Sequence, residues 1–156
     1  MWNEIVTEDD IANFMDFYEN FHDSCIVSLN YSSGRFVDEK NAVIGSSEKE
    51  HKLTVVFNSP WAKPVELLFE GVRKFSFPAW QDSFFEDIYD AYLAFHTELL
   101  GKTRDDRLIV WSDKGWFSPA KYVEEKLLSR YHEQASYVIA EKLFWRIIDD
   151  EKQDII

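Results

Sequence analysis

The hydrophobic period changes abruptly between Thr7 and Tyr31, and that change restricts the fold more than any other stretch of the chain. Ile11, Phe14, Met15 and Tyr18 recur at the spacing of one helical face. From Asp23 onward Cys25, Val27, Leu29 and Tyr31 alternate with Ser24, Ser28 and Asn30, the period of a strand with one buried face. This pattern predicts an amphipathic helix that lies across the apolar face of a sheet and feeds a strand through a sharp junction, Phe21-His22-Asp23-Ser24. Thr7 is placed to cap the helix, Asp10 to close a capping box, and Val6 and Ile11 to form the hydrophobic staple. Glu8, Asp9 and Asp10 put negative charge at the positive end of the helix dipole.

The rest of the chain repeats the strand period more often than the helical one. Leu53, Val55 and Phe57 alternate with Thr54 and Asn58 and stop at Ser59-Pro60. Val65, Leu67, Phe69, Phe75 and Phe77 share one parity, with Gly71 between them as a candidate bulge. The stretch from Arg35 to Glu50 reads as an irregular connection. Residues Ser83 to Leu100 fit both periods. Ile88 to Glu98 is taken as a strand, because the loop Gly101 to Arg107 would let it pair with the next one. Leu108 to Trp111 is apolar on both faces, as a central strand is. Ser118-Pro119 starts a second helix that runs to about Glu133, and Tyr137 to Ile147 forms a final strand before the acidic Asp149-Asp150-Glu151. The expected fold is α+β: a largely antiparallel sheet of about six strands, an N-terminal helix and a second helix before the last strand. Its 156 residues are read as a single domain, 1–156, with a short acidic C-terminal tail.

Charge narrows the function. With 17 basic against 29 acidic residues the formal charge is −12, so phosphate backbones repel the chain and nucleic acid is not an expected partner. A basic protein is favoured instead. No apolar run reaches the ~18 residues of a membrane span, and Met1-Trp2-Asn3-Glu4 lacks the basic and apolar regions of a signal peptide, so the expected location is the cytoplasm. The 6 Trp, 7 Tyr and 13 Phe exceed what one small core requires, which places some of them on the surface. Trp61, Trp80 and Trp116 lie in predicted connections and are the candidate partner-binding anchors. Cys25, the single cysteine, is expected as a buried thiol on the strand's apolar face.

Catalytic and cofactor motifs are missing. The histidines His22, His51, His96 and His132 have no metal-ligand spacing, and neither metal nor cofactor is expected. Gly101-Lys102-Thr103 ends like a phosphate-binding loop, but His96 stands where the first glycine belongs. Glu66 and Glu70 share a strand face about 13 Å apart, too far for a glycosidase pair. His22 and Asp23 remain the candidate ligand-binding residues at the junction. Asp23, Arg73 and Glu141 each put one charge on a strand face assigned to the core, so Arg73 should bridge a carboxylate unless Gly71 bulges the strand and turns it outward.

Phe21-His22-Asp23-Ser24, the strand segment Leu67, Phe69, Glu70, Gly71 and Val72, and the closing Ala140-Glu141-Lys142-Leu143-Phe144-Trp145-Arg146 resemble a loose group of small, mostly uncharacterised bacterial proteins. Some of that group are regarded as immunity proteins of polymorphic toxin systems. The resemblance implies an antiparallel sheet with one or two helices and a protein that works by binding; it carries no catalytic residues, and Ser118 to Glu133 has no counterpart in it. The expected function is a non-enzymatic, immunity-type inhibitor that docks a basic partner through an acidic, aromatic-rich surface. The alternative is a small-ligand binder or enzyme with a pocket near His22 and Asp23, including a metal-dependent one.

Overall fold

Thr7 Oγ1 accepts the Asp10 N–H at 3.1 Å, and the Asp10 carboxylate accepts the N–H groups of Thr7 and Val6 at 2.8 and 3.0 Å. The expected capping box thus opens helix α1 (Glu8–Phe17). These bonds, from Val6 first, hold the Asp10 carboxyl below the ordinary carboxylate range. The structure, a computed structural model, describes residues 1–78, 87–99, 107–119 and 135–149. Ile11 and Phe14 form the buried face of α1, and the Phe14 ring stacks on Trp145 at 4.8 Å.

The strands, in chain order, are β1 (Asn3–Ile5), β2 (Cys25–Ser32), β3 (Phe36–Val37), β4 (Val43–Ile44), β5 (Lys52–Asn58), β6 (Val65–Ser76), β7 (Tyr92–His96), β8 (Leu108–Ser112) and β9 (Tyr137–Ile147). Seven form one sheet in the order β2-β5-β6-β9-β8-β7, with β1 also on β9; β3 and β4 make a separate hairpin. Among the described residues every pairing is antiparallel. β9 is the hub, paired with β6 along its length, with β8 over its first half and with β1 over its second. Ile88, ahead of β7, bridges Ser24, ahead of β2, so the sheet curls until its two ends meet at one point.

The main core lies under α1 and includes Phe14, Tyr18, Phe21, Phe57, Leu67, Phe69 and Trp111. A second cluster, with Leu108, Val110, Ile139 and Phe117, covers the other face of β8 and β9. This is why Leu108 to Trp111 are all buried, as their two-faced apolar sequence predicts; Ser112, the last residue of β8, is buried as well.

The structure corrects several expectations. The register of β2 shifts between Ile26 and Ser28, leaving Val27 as a bulged residue 58% exposed. Leu29 and Tyr31 sit opposite the buried Val55 and Leu53 yet are 42% and 41% exposed, since among the described residues this edge strand has a paired neighbour, β5, on one side only. Cys25 is half-buried rather than enclosed. The strand expected over Ile88 to Glu98 is shortened to β7, since the backbone of Ile88 and Ala91 bonds to the junction instead of a ladder. β1 went unforeseen: three residues are too few for a period to show. Pro119 is helical, but 120–134, the rest of the expected second helix, lies outside the described residues, as do 101–106 of the expected loop and 150–156 of the expected acidic tail.

Candidate functional site

Between α1 and β2 the backbone enters a region that L-residues avoid. Glu19, Asn20 and Phe21 have φ of 52°, 53° and 62°, and Asp23 has 58°. The turn swings Phe21 into the core, where it is 0% exposed and its ring packs within 4.9–5.9 Å of Tyr18, Phe57, Phe14 and Trp111. Burying a phenyl ring contributes about 1.5–3 kcal/mol, enough to offset the strain of one or two such residues. Backbone bonds fix the rest: Ala91 N–H to Asn20 C=O at 3.0 Å, Asp23 N–H to Ile88 C=O at 2.8 Å and Ile88 N–H to Ser24 C=O at 2.8 Å. Strain held by its surroundings in this way marks a functional candidate.

With Phe21 turned inward, His22 and Asp23 face outward. His22 Nδ1 lies 2.7 Å from the Tyr89 carbonyl, and its Nε2 is 3.5 Å from the Asp23 carboxylate. The bond to the Tyr89 carbonyl raises the imidazole pKa above its ordinary value; the charges of Asp23, Asp90 and Glu19 add to this, and partial burial opposes it. Because a carbonyl can only accept, Nδ1 donates to Tyr89, and Nε2 faces the Asp23 carboxylate, so the ring is held as an ion-pair partner rather than as a free catalytic base. The Trp61 indole N–H donates to the Asp23 carboxylate at 3.2 Å.

Asp23 also lines a cleft of about 590 Å³ at the point where the sheet's ends meet. Among the described residues, Asp87, Asp90 and Asp113 share it with the ammonium of Lys114, and Tyr89 and Trp116 supply aromatic surface. Trp61, Tyr89 and Trp116 are 64%, 77% and 59% exposed. On the far wall the Asp113 carboxylate accepts the Ser136 N–H at 2.8 Å, and the Asp113 N–H donates back to the Ser136 carbonyl at 3.1 Å. Burial pushes the Asp113 carboxyl above its ordinary pKa, against the lowering effects of Lys114 and the Ser136 bond. Both walls are therefore tied turns, and the described lining, with more carboxylates than ammonium groups, is acidic.

The structure brings together His22, Asp23, Trp61 and Trp116, which the sequence named for two different reasons. Trp80 lies outside the described residues. Arg73 pairs with Glu141 and with Glu48, the latter at 3.2 Å, while Asp23 belongs to the cleft. The β6 register does shift around Arg73, yet its side chain stays 14% exposed, so the bulge and the ion pair coexist. Sequence reasoning missed Asp87, Tyr89, Asp90, Asp113 and Lys114. Only their turn-forming neighbours, such as Gly115, marked them as surface, and nothing local tied them to Asp23.

A second polar group needs separating from catalysis. Ser46 Oγ donates to the Ser33 carbonyl at 2.5 Å and so accepts from His51 Nε2 at 3.2 Å, while Tyr31 O–H reaches His51 Nδ1 at 2.6 Å. This polarity is the reverse of a serine activated by histidine, and the group acts as a clasp on the connection between β2 and β5. Among the described residues no three His, Cys, Asp or Glu side chains converge to hold a metal, and no helix is long and apolar enough to cross a membrane. No family model, curated protein or solved structure matches this chain.

Proposed function

We propose that the chain is a non-enzymatic cytoplasmic binding protein, an immunity-type inhibitor that docks a basic protein through the cleft at the sheet seam. The observation that carries this reading is the charge and shape of one place: among the described residues four aspartates against one lysine, lined by exposed Tyr89 and Trp116, with exposed Trp61 beside it on the Asp23 carboxylate. Complementary charge speeds encounter, and aromatic anchors supply most of the affinity. The molecule's own arginines illustrate the chemistry. Arg146 lies 4.3 Å over the Trp2 ring while its Nε donates to Glu66 at 2.7 Å, and Arg107 lies 3.7 Å over Phe95. The cleft offers an incoming arginine or lysine the same two partners, a ring and a carboxylate.

The test is capture from native cytoplasm at low and then high salt. The expected result is a basic protein retained at low salt, shed at high salt and inhibited in its own activity by the chain. Trp61→Ala or Trp116→Ala should weaken its binding by more than about 2 kcal/mol. Capture unaffected by both substitutions, or no protein captured at either salt, would sink the reading. The cleft volume also suits a small cationic ligand, the second reading, for which a thermal shift with free arginine and no captured protein is the expected outcome.

A further inference from the structure

We propose that two copies of this chain pair through the open edge of β2, antiparallel about a twofold axis at Asn30. β2 ends the sheet order, and no strand among the described residues covers its outer edge. Among the described residues the seam contact stops at Ser24 and Ile88 and no pairing continues it along the edge, and Ser28, Leu29, Asn30, Tyr31 and Ser32 are all exposed. Edge strands are ordinarily guarded by charge, proline or a bulge. Here the bulge at Val27 guards only the first part of the strand, and Ser28 to Ser32 has neither charge nor proline in a chain of formal charge −12.

The sequence of that segment chooses the occupant. Ser28-Leu29-Asn30-Tyr31-Ser32 reads almost the same in both directions. Paired antiparallel with itself about Asn30, it sets Ser28 opposite the second copy's Ser32, Leu29 opposite its Tyr31, and Asn30 opposite its own equivalent. Polar residues then meet polar ones on one face, and an aliphatic–aromatic cross-strand pair forms twice on the other. Such a contact is self-complementary, as a twofold interface must be. It also covers the apolar surface that Leu29 and Tyr31 leave open. Tyr31 is set for this role, its hydroxyl held by His51 at 2.6 Å and its ring 4.9 Å from Phe75.

The test is sedimentation velocity on the full chain over a concentration series, joined to thiol cross-linking. A concentration-dependent dimer is expected, and Leu29→Lys should abolish it. In parallel, Asn30→Cys and Val43→Cys are treated with a short bis-maleimide, with the unsubstituted chain reporting any reaction of Cys25. Val43 is exposed too, at 66%, but lies off the proposed axis. The pair at position 30 should cross-link roughly a hundredfold faster than that at 43, because neighbours at an interface meet at millimolar effective concentration. This arm stands even if Leu29→Lys fails to fold. A monomer at every concentration would overturn the proposal, as would a dimer in which position 30 cross-links no faster than position 43.

Discussion

Glu19 is exposed, so its φ of 52° is strain without an evident packing return of its own. A left-handed L-residue costs about 1–2 kcal/mol, and glycine's extra loss of freedom on folding costs about 0.5–1 kcal/mol. Glu19→Gly should therefore raise unfolding free energy in a urea titration by several tenths to about 1 kcal/mol; unchanged or lower stability would mean that the turn is not strained at this residue. Asp113 offers a contrasting case, because its strain is electrostatic. Its folded-state pKa is raised by burial, so the ionised carboxylate works against folding at neutral pH, and that penalty disappears once the group is protonated in both states. Asparagine keeps an oxygen to accept the Ser136 N–H. Asp113→Asn is thus expected to be more stable than the natural chain at neutral pH, with the advantage closing as pH falls through the carboxylate range. Under the proposed function the same variant binds a basic partner less well, since a carboxylate has left the cleft.

At the scale of elements, what the sequence made legible is whatever a local period or cap encodes. Thr7 and Asp10 specify the start of α1, and the alternation of Leu53 to Phe57 specifies β5. The junction itself was legible from the period change, but its left-handed turn was not, because Glu19, Asn20 and Phe21 are not the glycines that usually announce positive φ. Strand order was also invisible, and strand order decides which charges meet. Arg73 needed a carboxylate, but only the pairing of β6 with β9 and the nearness of Glu48 make Glu141 and Glu48 its partners instead of Asp23. Gly71 ties this arrangement together. It has φ +64°, and a Cβ there would lie 2.5 Å from the Glu141 carboxylate, which cannot swing away without releasing Arg73. Gly71→Ala should lower stability in thermal unfolding by about 2–4 kcal/mol, combining left-handed strain with overpacking. A loss below about 1 kcal/mol would mean that Glu141 repacks freely.

For the whole molecule, the curled sheet matters because it closes where its own ends are chemically unlike. One end brings the strained junction with His22 and Asp23, the other the turns holding Asp87 to Asp90, and the turn after β8 adds Asp113 and Trp116. Residues far apart in sequence thus make one acidic surface, which composition foresaw only as a net charge. His22 gives that surface a pH dependence with a definite sign. Because folding raises its pKa, its contribution to stability is complete below the ordinary imidazole value of 6.5 and is lost as pH rises through the raised one. Affinity for a basic partner should run the other way: losing the His22 proton makes the acidic surface more negative, so binding tightens over the same pH window, as pH rises through the raised value. Linkage then requires that binding of the partner expel protons from His22 within that window. Calorimetric titration in buffers of different ionisation enthalpy would measure the release, and His22→Gln should remove it while leaving the salt dependence in place. Proton release that persists undiminished in His22→Gln would assign the coupling to other groups and detach His22 from the binding surface.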